Sequence, residues 1–435
     1  MERLSISDNK RYLMQGDRPF FWLGDTAWLI FGNITEEEAY VYLKNRADKG
    51  FNVIQAVLVY STPDMEVENK MYWEHLDIRS EEYWERVDRI IKLADGLGLY
   101  MAVLPCWGSL VKTGRLNMSN VDQYAEFLIG RYASYDNIIW VLGGDIKAAD
   151  YKELYCRFGK KLKDKMPDKL ITFHPFGRTS SAEWFVGEDW LDIHMFQSGH
   201  RRYDQLNMGA WDDVNSPGFY GEDNWRYVLY NLNAEKKPTL DAEPSYEWIP
   251  QGLHDKREGY WTARDVRRYA YWSVLSGACG FTYGDNAVMQ FYHEGSKGIN
   301  YDPICDWDEG IHHEGSGEMQ HLKALIESVD YHNGRVRDDL IVGGQRERHA
   351  RIAVFADDAR SFIIAYDYSG ATFSLNLSGY EGREIYYVSP VTGARSFLGI
   401  CKGEEMTFKP IQRVERNLSD RIYLIINTDN KRRGI

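Results

Sequence analysis

The chain has 435 residues, too many for one ordinary domain and enough for a barrel with a smaller companion. Its formal net charge of −13 leaves no basic surplus for neutralising phosphates, which excludes nucleic acid and anionic membrane as expected partners. The five cysteines, Cys106, Cys156, Cys279, Cys305 and Cys401, are scattered without CxxC spacing and read as free thiols. Met1 to Ser7 contains no apolar signal core, and no apolar run approaches the ~20 residues that span a bilayer. The expectation is a cytoplasmic protein, or a secreted or periplasmic one if a leader has been removed.

In chain order, short β-rich runs alternate with helical stretches, the pattern of a parallel sheet with crossover helices. Eight runs stand out: Phe20 to Gly24, Asn52 to Tyr60, Tyr100 to Pro105, Ile138 to Gly143, Leu170 to His174, Trp190 to Phe196, Pro238 to Ala242 and Ala278 to Tyr283. Between the first two, Thr35 and Glu38 form a capping box ahead of Ala39, Leu43 and Ala47, and Gly50 stops that helix. Ser80, Tyr83, Val87, Ile90, Ile91 and Ala94 mark an amphipathic helix before the third run, and Thr262 to Ser276 carries helical spacing into the eighth. Eight strands with crossover helices predict a (β/α)₈ barrel.

Beyond about residue 335 the pattern becomes alternating strands with turn signals and no long helix: Ile352 to Phe355, Phe362 to Tyr366, Phe373 to Leu377, Glu384 to Val388, Thr407 to Lys409 and Arg421 to Ile426. The expected organisation is an α/β barrel over residues 1–338 followed by a small antiparallel β-sandwich over 339–435.

Two carboxylates sit where apolar runs pass into polar loops. Asp145 closes Asn137-Ile-Ile-Trp-Val-Leu-Gly-Gly-Asp145, and Glu243 lies in Lys237-Pro-Thr-Leu-Asp-Ala-Glu-Pro-Ser-Tyr-Glu247. Strand ends carry the chemistry of such barrels, and paired carboxylates there suggest glycoside hydrolysis. The fourth and seventh strands face each other across the mouth, so the two side chains can converge on one sugar. The bland alternatives are helix capping for Asp145 after its glycines and a buried ion pair for Glu243. Glu247 is the rival nucleophile; Asp241, on the same strand face as Glu243, lies deeper.

Around this pair the sequence places a sugar-binding shell. Asp25, at the first strand end, suits two vicinal hydroxyls, or else caps a helix. Gln55, His174, Gln197, His200 and Tyr246 offer hydrogen bonds near strand ends, and His200-Arg201-Arg202 suits a substrate bearing carboxylates unless the arginines are simply solvated. Trp28, Trp107 and Tyr283 belong to an unusually aromatic chain, 14% Phe, Trp and Tyr, whose rings can stack on sugar faces. Tyr292-His-Glu294 and His312-His-Glu314 lack metal-site spacing, no dinucleotide fingerprint is present, and no Gly-x-Ser-x-Gly elbow lies at a strand end. No metal and no cofactor is expected.

The chain resembles the apiosidase-like glycoside hydrolases, glycoside hydrolase family 140, in which a barrel precedes a β-sandwich of the type labelled collagen-binding. The resemblance is carried by Pro19-Phe-Phe-Trp-Leu-Gly-Asp-Thr-Ala-Trp28, Gly50-Phe-Asn-Val-Ile-Gln-Ala56, Leu104-Pro-Cys-Trp107, Trp140-Val-Leu-Gly-Gly-Asp145, Gln197-Ser-Gly-His200, Glu243-Pro-Ser-Tyr-Glu247, Tyr283-Gly-Asp285 and Tyr387-Val-Ser-Pro-Val-Thr-Gly393. It implies a retaining enzyme of pectin breakdown that cuts an apiose linkage in rhamnogalacturonan II, with Asp145 as acid/base and Glu243 as nucleophile. The expected partner is an oligosaccharide or polysaccharide. Another furanoside such as arabinofuranose, or carbohydrate binding on an inactive barrel, are the alternative expectations. Collagen binding is disfavoured because nothing resembles a protease site.

Overall fold

The computed structural model describes residues 1–60, 81–205, 218–409 and 420–427. Ser80, expected in the helix before the third run, and the stretches 61–79 and 206–217 lie outside the described residues.

Eight parallel strands form the barrel: β4 (Trp22–Thr26), β5 (Val53–Val57), β6 (Tyr100–Leu104), β7 (Ile138–Ile146), β8 (Ile171–Pro175), β10 (His194–Gln197), β11 (Thr239–Asp241) and β12 (Gly280–Tyr283). Six pair in the order β12-β4-β5-β6-β7-β8, and β10 pairs with β11 and, antiparallel, with the two-residue strand β9 (Thr179–Ser180). The ring closes through a parallel bridge between Thr172 and Ile193 and through the Cys279 amide, which donates to the Thr239 carbonyl at 2.9 Å. All five residues of β4, β5, β6 and β8 are buried, because the helices cover one face and the barrel interior the other. All five cysteines are free.

Local chemistry sets the crossovers. Thr35 Oγ1 accepts from the Glu38 amide at 3.2 Å while Glu38 Oε2 accepts from the Thr35 amide at 2.7 Å, so the helix Glu36–Asp48 opens on a reciprocal cap. Gly50, at φ 81°, turns the chain into β5. Helix Glu81–Gly96 buries Tyr83, Trp84, Val87, Ile90, Ile91 and Ala94, one face at helical spacing.

An element the sequence did not suggest precedes the barrel: β1 (Leu4–Ile6), β2 (Leu13–Gln15) and β3 (Arg18–Phe20) form a small antiparallel sheet. Each strand has three residues, too short for an alternation to register.

Among the described residues, the C-terminal part forms two antiparallel sheets. The larger has the order β13 (Gly334–Val336), β15 (Ile352–Asp357), β16 (Phe362–Asp367), β21 (Arg421–Ile426), β18 (Glu384–Val388) and β19 (Arg395–Ile400). The smaller joins β14 (Ile341–Gly343), β17 (Phe373–Asn376) and β20 (Glu405–Phe408). Ile352, Val354, Ile363, Phe373, Leu375 and Ile425 form the core between them. The opposite face of the large sheet packs on the barrel, with Phe355, Ile364, Tyr366 and Leu424 in the same continuous core as the barrel residues. Tyr271 on helix Ala263–Leu275 stacks on Tyr366 at 4.8 Å, and the Arg267 guanidinium bridges Glu318 and Asp420.

Candidate active site

The carboxylate on β7 is aimed by its backbone. Gly143, Gly144 and Asp145 have φ of 97°, 96° and 49°, and the pairing of β7 with β8 slips between Gly143 and Ile146. Three consecutive left-handed residues form a bulge that turns Asp145 out of the strand into the barrel mouth. Only glycine fits the first two positions: a Cβ at Gly143 would sit 2.3 Å from the His174 carbonyl oxygen, and one at Gly144 would sit 2.9 Å from Trp107. The Lys112 ammonium donates to the Asp145 carbonyl at 2.8 Å and holds the bulge from outside.

Glu243 follows β11 and is 6% exposed. His200 Nε2 lies 3.0 Å from its Oε1. The Tyr246 amide donates to His200 Nδ1 at 3.4 Å, so the ring proton sits on Nε2 and points at Glu243. His174 Nε2 is 3.1 Å from Glu243 Oε2, close enough for an ion pair but not aligned as a hydrogen bond. Asp145, His174 and Glu243 each present an oxygen or nitrogen within 4.8 Å of the others. Among the described residues this is also the one group of three with metal-ligand spacing; His293 with Glu294 and His312 with Glu314 form no such group.

The environments separate the two acids. Burial and then the negative charge of Glu243 push the Asp145 carboxyl up to about 7, against the charges of His174 and Lys112 and a hydrogen bond from Gln197. Burial also acts to raise Glu243, but His174 and His200 outweigh it and hold that carboxyl down at about 2. Burial lowers His174, and the two carboxylates reverse this, leaving its pKa above the ordinary imidazole range. Near neutrality one acid can carry a proton while its neighbour is ionised, as a proton donor and a nucleophile on one site require.

A cavity of about 70 Å³ opens over this pair. Of the residues singled out in the sequence, Trp28, Trp107, Asp145, Gln197, His200, Glu243 and Tyr246 line it. Trp28 meets Trp107 edge-on at 5.3 Å, and Tyr60 lies 5.3 Å from Trp107, giving the cavity an aromatic wall.

Five other residues named from the sequence lie beneath the cavity. His174, fully buried, supports Glu243 from below and touches Trp28. Asp25, expected to meet sugar hydroxyls, is completely buried; its Oδ2 accepts from Tyr42 at 2.6 Å and pairs with Arg46. Gln55 donates to the Ala242 carbonyl at 2.9 Å, across the barrel interior. Glu247 accepts from Tyr283 at 2.6 Å and from the Gly315 amide at 3.2 Å, so both tie the seventh and eighth strands to helix Glu314–Glu327. Gln55 points into the barrel, whereas Asp25, Glu247 and Tyr283 turn toward the surrounding helices, because the strand's two-residue period sends alternate side chains to opposite faces. Of the arginines after His200, Arg202 is bound to Asp204 and Glu258 and Arg201 is 8% exposed; neither lines the cavity.

The sequence reading missed one side of the cavity. Met289, Gln290, Asn300 and Tyr301 line it from the connection after β12. That connection runs 30 residues from Tyr283 to helix Glu314–Glu327, longer than a crossover needs, and this excess length was the available signal.

The model of the apiosidase-like catalytic domain matches residues 7–333. A solved structure described as a glycoside hydrolase is similar at 33% identity and TM-score 0.90, covering 98% of this chain and 97% of its own. A glycoside hydrolase family 5 structure from Bacteroides vulgatus is similar at 32% identity and TM-score 0.90, covering 98% and 94%. A family 5 mannosidase from Rhizomucor miehei, at 9% identity and TM-score 0.52, covering 75% of this chain and 98% of its own, shares the barrel fold. No curated protein matches. With three quarters of its length under that family model and a shared fold over nearly the whole chain, the protein belongs to the apiosidase-like glycoside hydrolases.

Proposed function

We propose that the protein is a retaining glycosidase that hydrolyses an apiose furanosidic linkage in oligosaccharides derived from rhamnogalacturonan II. The observation that carries the retaining mechanism is the pairing of Asp145 and Glu243 within 4.8 Å with opposite shifts of their acidities. Retaining enzymes hold their carboxyls about 5 Å apart, whereas inverting ones need room for a water between them.

In this reading Glu243, ionised and oriented by His200 and His174, attacks the anomeric carbon. Asp145 gives its proton to the departing glycosidic oxygen, and that bond breaks as the glycosyl ester to Glu243 forms. Asp145, now a carboxylate, takes a proton from water; the hydroxide oxygen bonds to the anomeric carbon and Glu243 leaves as a carboxylate. The raised pKa of Asp145 suits both halves, because the group must lose and regain one proton near the working pH. Support for apiose comes from the family match alone, since pocket shape rather than the acids sets sugar identity.

The test is incubation of the protein with rhamnogalacturonan II oligosaccharides and, in parallel, arabinofuranosides, with released sugars identified by chromatography. Apiose-terminated products support the proposal. Activity on arabinofuranosides alone would reassign the substrate, and no activity on any furanoside would favour a binding role.

A further inference from the structure

The connection after β12 brings one side chain to the reacting carboxylates that no motif announced. Tyr301 lines the cavity together with Asp145 and Glu243. Its backbone has φ 62°, and Asp302 follows at φ 44°, two successive left-handed residues of which neither is glycine. Such geometry persists where the surroundings over-determine it, and it clusters at functional sites.

The surroundings here do over-determine it. Asn286 donates to the Tyr301 carbonyl at 2.8 Å. Gln290 donates to the Asn300 carbonyl at 2.9 Å while its own carbonyl oxygen accepts from the Asn300 amide at 3.0 Å, a reciprocal clamp one residue before the tyrosine. Gln290 is itself buried, and its main-chain carbonyl accepts from Asn33 at 3.0 Å. The Tyr301 ring lies 5.9 Å from His254. Two buried amide side chains are thus spent on fixing a loop residue in a left-handed conformation over the catalytic mouth. Burial, and then the charges of Asp145 and Glu243, keep its phenol protonated, so it is a hydrogen-bond donor at every working pH.

Resting on the reading of this cavity as the place where the reacting sugar binds, we infer that Tyr301 is a further catalytic residue, its hydroxyl donating a hydrogen bond to a hydroxyl of the reacting furanose. A donor fixed before substrate arrives loses little entropy on binding, which accounts for the clamp that holds it. The contact also selects substrates: a sugar lacking a hydroxyl at that point leaves the half-buried phenol without its partner, and sites of this kind discriminate strongly.

The experiment compares wild type with Tyr301→Phe, which keeps the ring and removes the donor, on rhamnogalacturonan II oligosaccharides. Binding of a polyhydroxylated pyrrolidine, a cationic mimic of a furanosyl transition state, is measured by calorimetry on both proteins. The expected result is a fall in kcat/KM of about tenfold to a hundredfold with a lower kcat, weaker pyrrolidine binding, and an unchanged thermal midpoint. A structural role would instead move the midpoint and leave the kinetic constants of the folded fraction alone. Unchanged kinetics and binding in Tyr301→Phe would overturn the inference while leaving the carboxylate pair in place. If wild type is inert on the oligosaccharides but binds the pyrrolidine, and Tyr301→Phe binds it less well, the substrate assignment fails and Tyr301 stands. A wild type that neither turns over the oligosaccharides nor binds the pyrrolidine would overturn both.

Discussion

His200 Nε2 lies 3.0 Å from Glu243 Oε1, with its other nitrogen taking the Tyr246 amide. The contact fixes the tautomer and stabilises the ionised carboxylate, so His200 is a positioning residue for Glu243. Removing it in His200→Ala should raise the Glu243 pKa, because a stabiliser of the charged form is lost. The acidic limb of the kcat/KM profile should then move to higher pH by about one unit, the equivalent of one charge-assisted hydrogen bond. A pH series from 3 to 8 on both proteins measures it.

Asp145 should behave in the opposite sense. Its folded pKa of about 7 lies above that of an unfolded aspartate, so the native state holds a proton that the unfolded chain has released. Stability from this group is present below the ordinary carboxylate range and is lost as pH rises toward 7. Asp145→Asn removes that loss and should be more stable than wild type at pH 8, by about 1–3 kcal/mol, while being inactive. Urea denaturation at pH 5 and pH 8 should show the gain at the higher pH and little at the lower. The same group sets the alkaline limb of wild-type activity near pH 7.

The bulge that aims Asp145 gives a backbone test. Gly143→Ala combines a φ of 97° with a Cβ only 2.3 Å from a main-chain oxygen, which cannot move aside as a flexible side chain could. The expected cost is about 2–3 kcal/mol of stability together with loss of most activity, since the bulge must flatten to relieve the clash. Gly96→Ala, in open space on a helix, serves as the control and should be neutral.

Much of this architecture was legible in the chain. All eight barrel runs overlap strands because each is a short β-rich stretch between polar turns, and the Thr35–Glu38 box is a local signal needing no tertiary context. The strands β13, β14 and β19 were not anticipated. β13 and β14 are three-residue strands, and β19, Arg395–Ile400, has an exposed edge without apolar alternation. In the site, motif and strand end located Asp145, Glu243, Gln197 and His200. Asp25, Gln55, Glu247 and Tyr283 were named by the same logic and do not line the cavity, because proximity to a strand end does not say whether a side chain faces the cavity, the barrel interior or the surrounding helices. Tyr301 was invisible since its position depends on Asn286 and Gln290, partners 15 and 11 residues earlier in the chain.

The junction between the two parts rests on a buried charge. Arg267 is 2% exposed and pairs with Glu318 on the barrel and Asp420 of the C-terminal part. Arg267→Ala leaves two acids without their cation and should destabilise the protein by about 3–5 kcal/mol, more than Arg267→Met combined with Asp420→Asn and Glu318→Gln. Thermal denaturation of the two variants checks the order.

The most direct measurement of the retaining mechanism is chemical rescue of Glu243→Ala by azide. The substrate is whichever furanoside wild type cleaves, and the anomeric configuration of the product is read by proton NMR. The account predicts that azide restores turnover and yields a glycosyl azide of inverted configuration, while wild type releases sugar with its configuration retained. It also predicts that Asp145→Ala hydrolyses substrates with good leaving groups and stalls on natural ones. Inverted product from wild type, or a Glu243→Ala variant that keeps its activity without azide, would contradict the assignment of Glu243 as nucleophile.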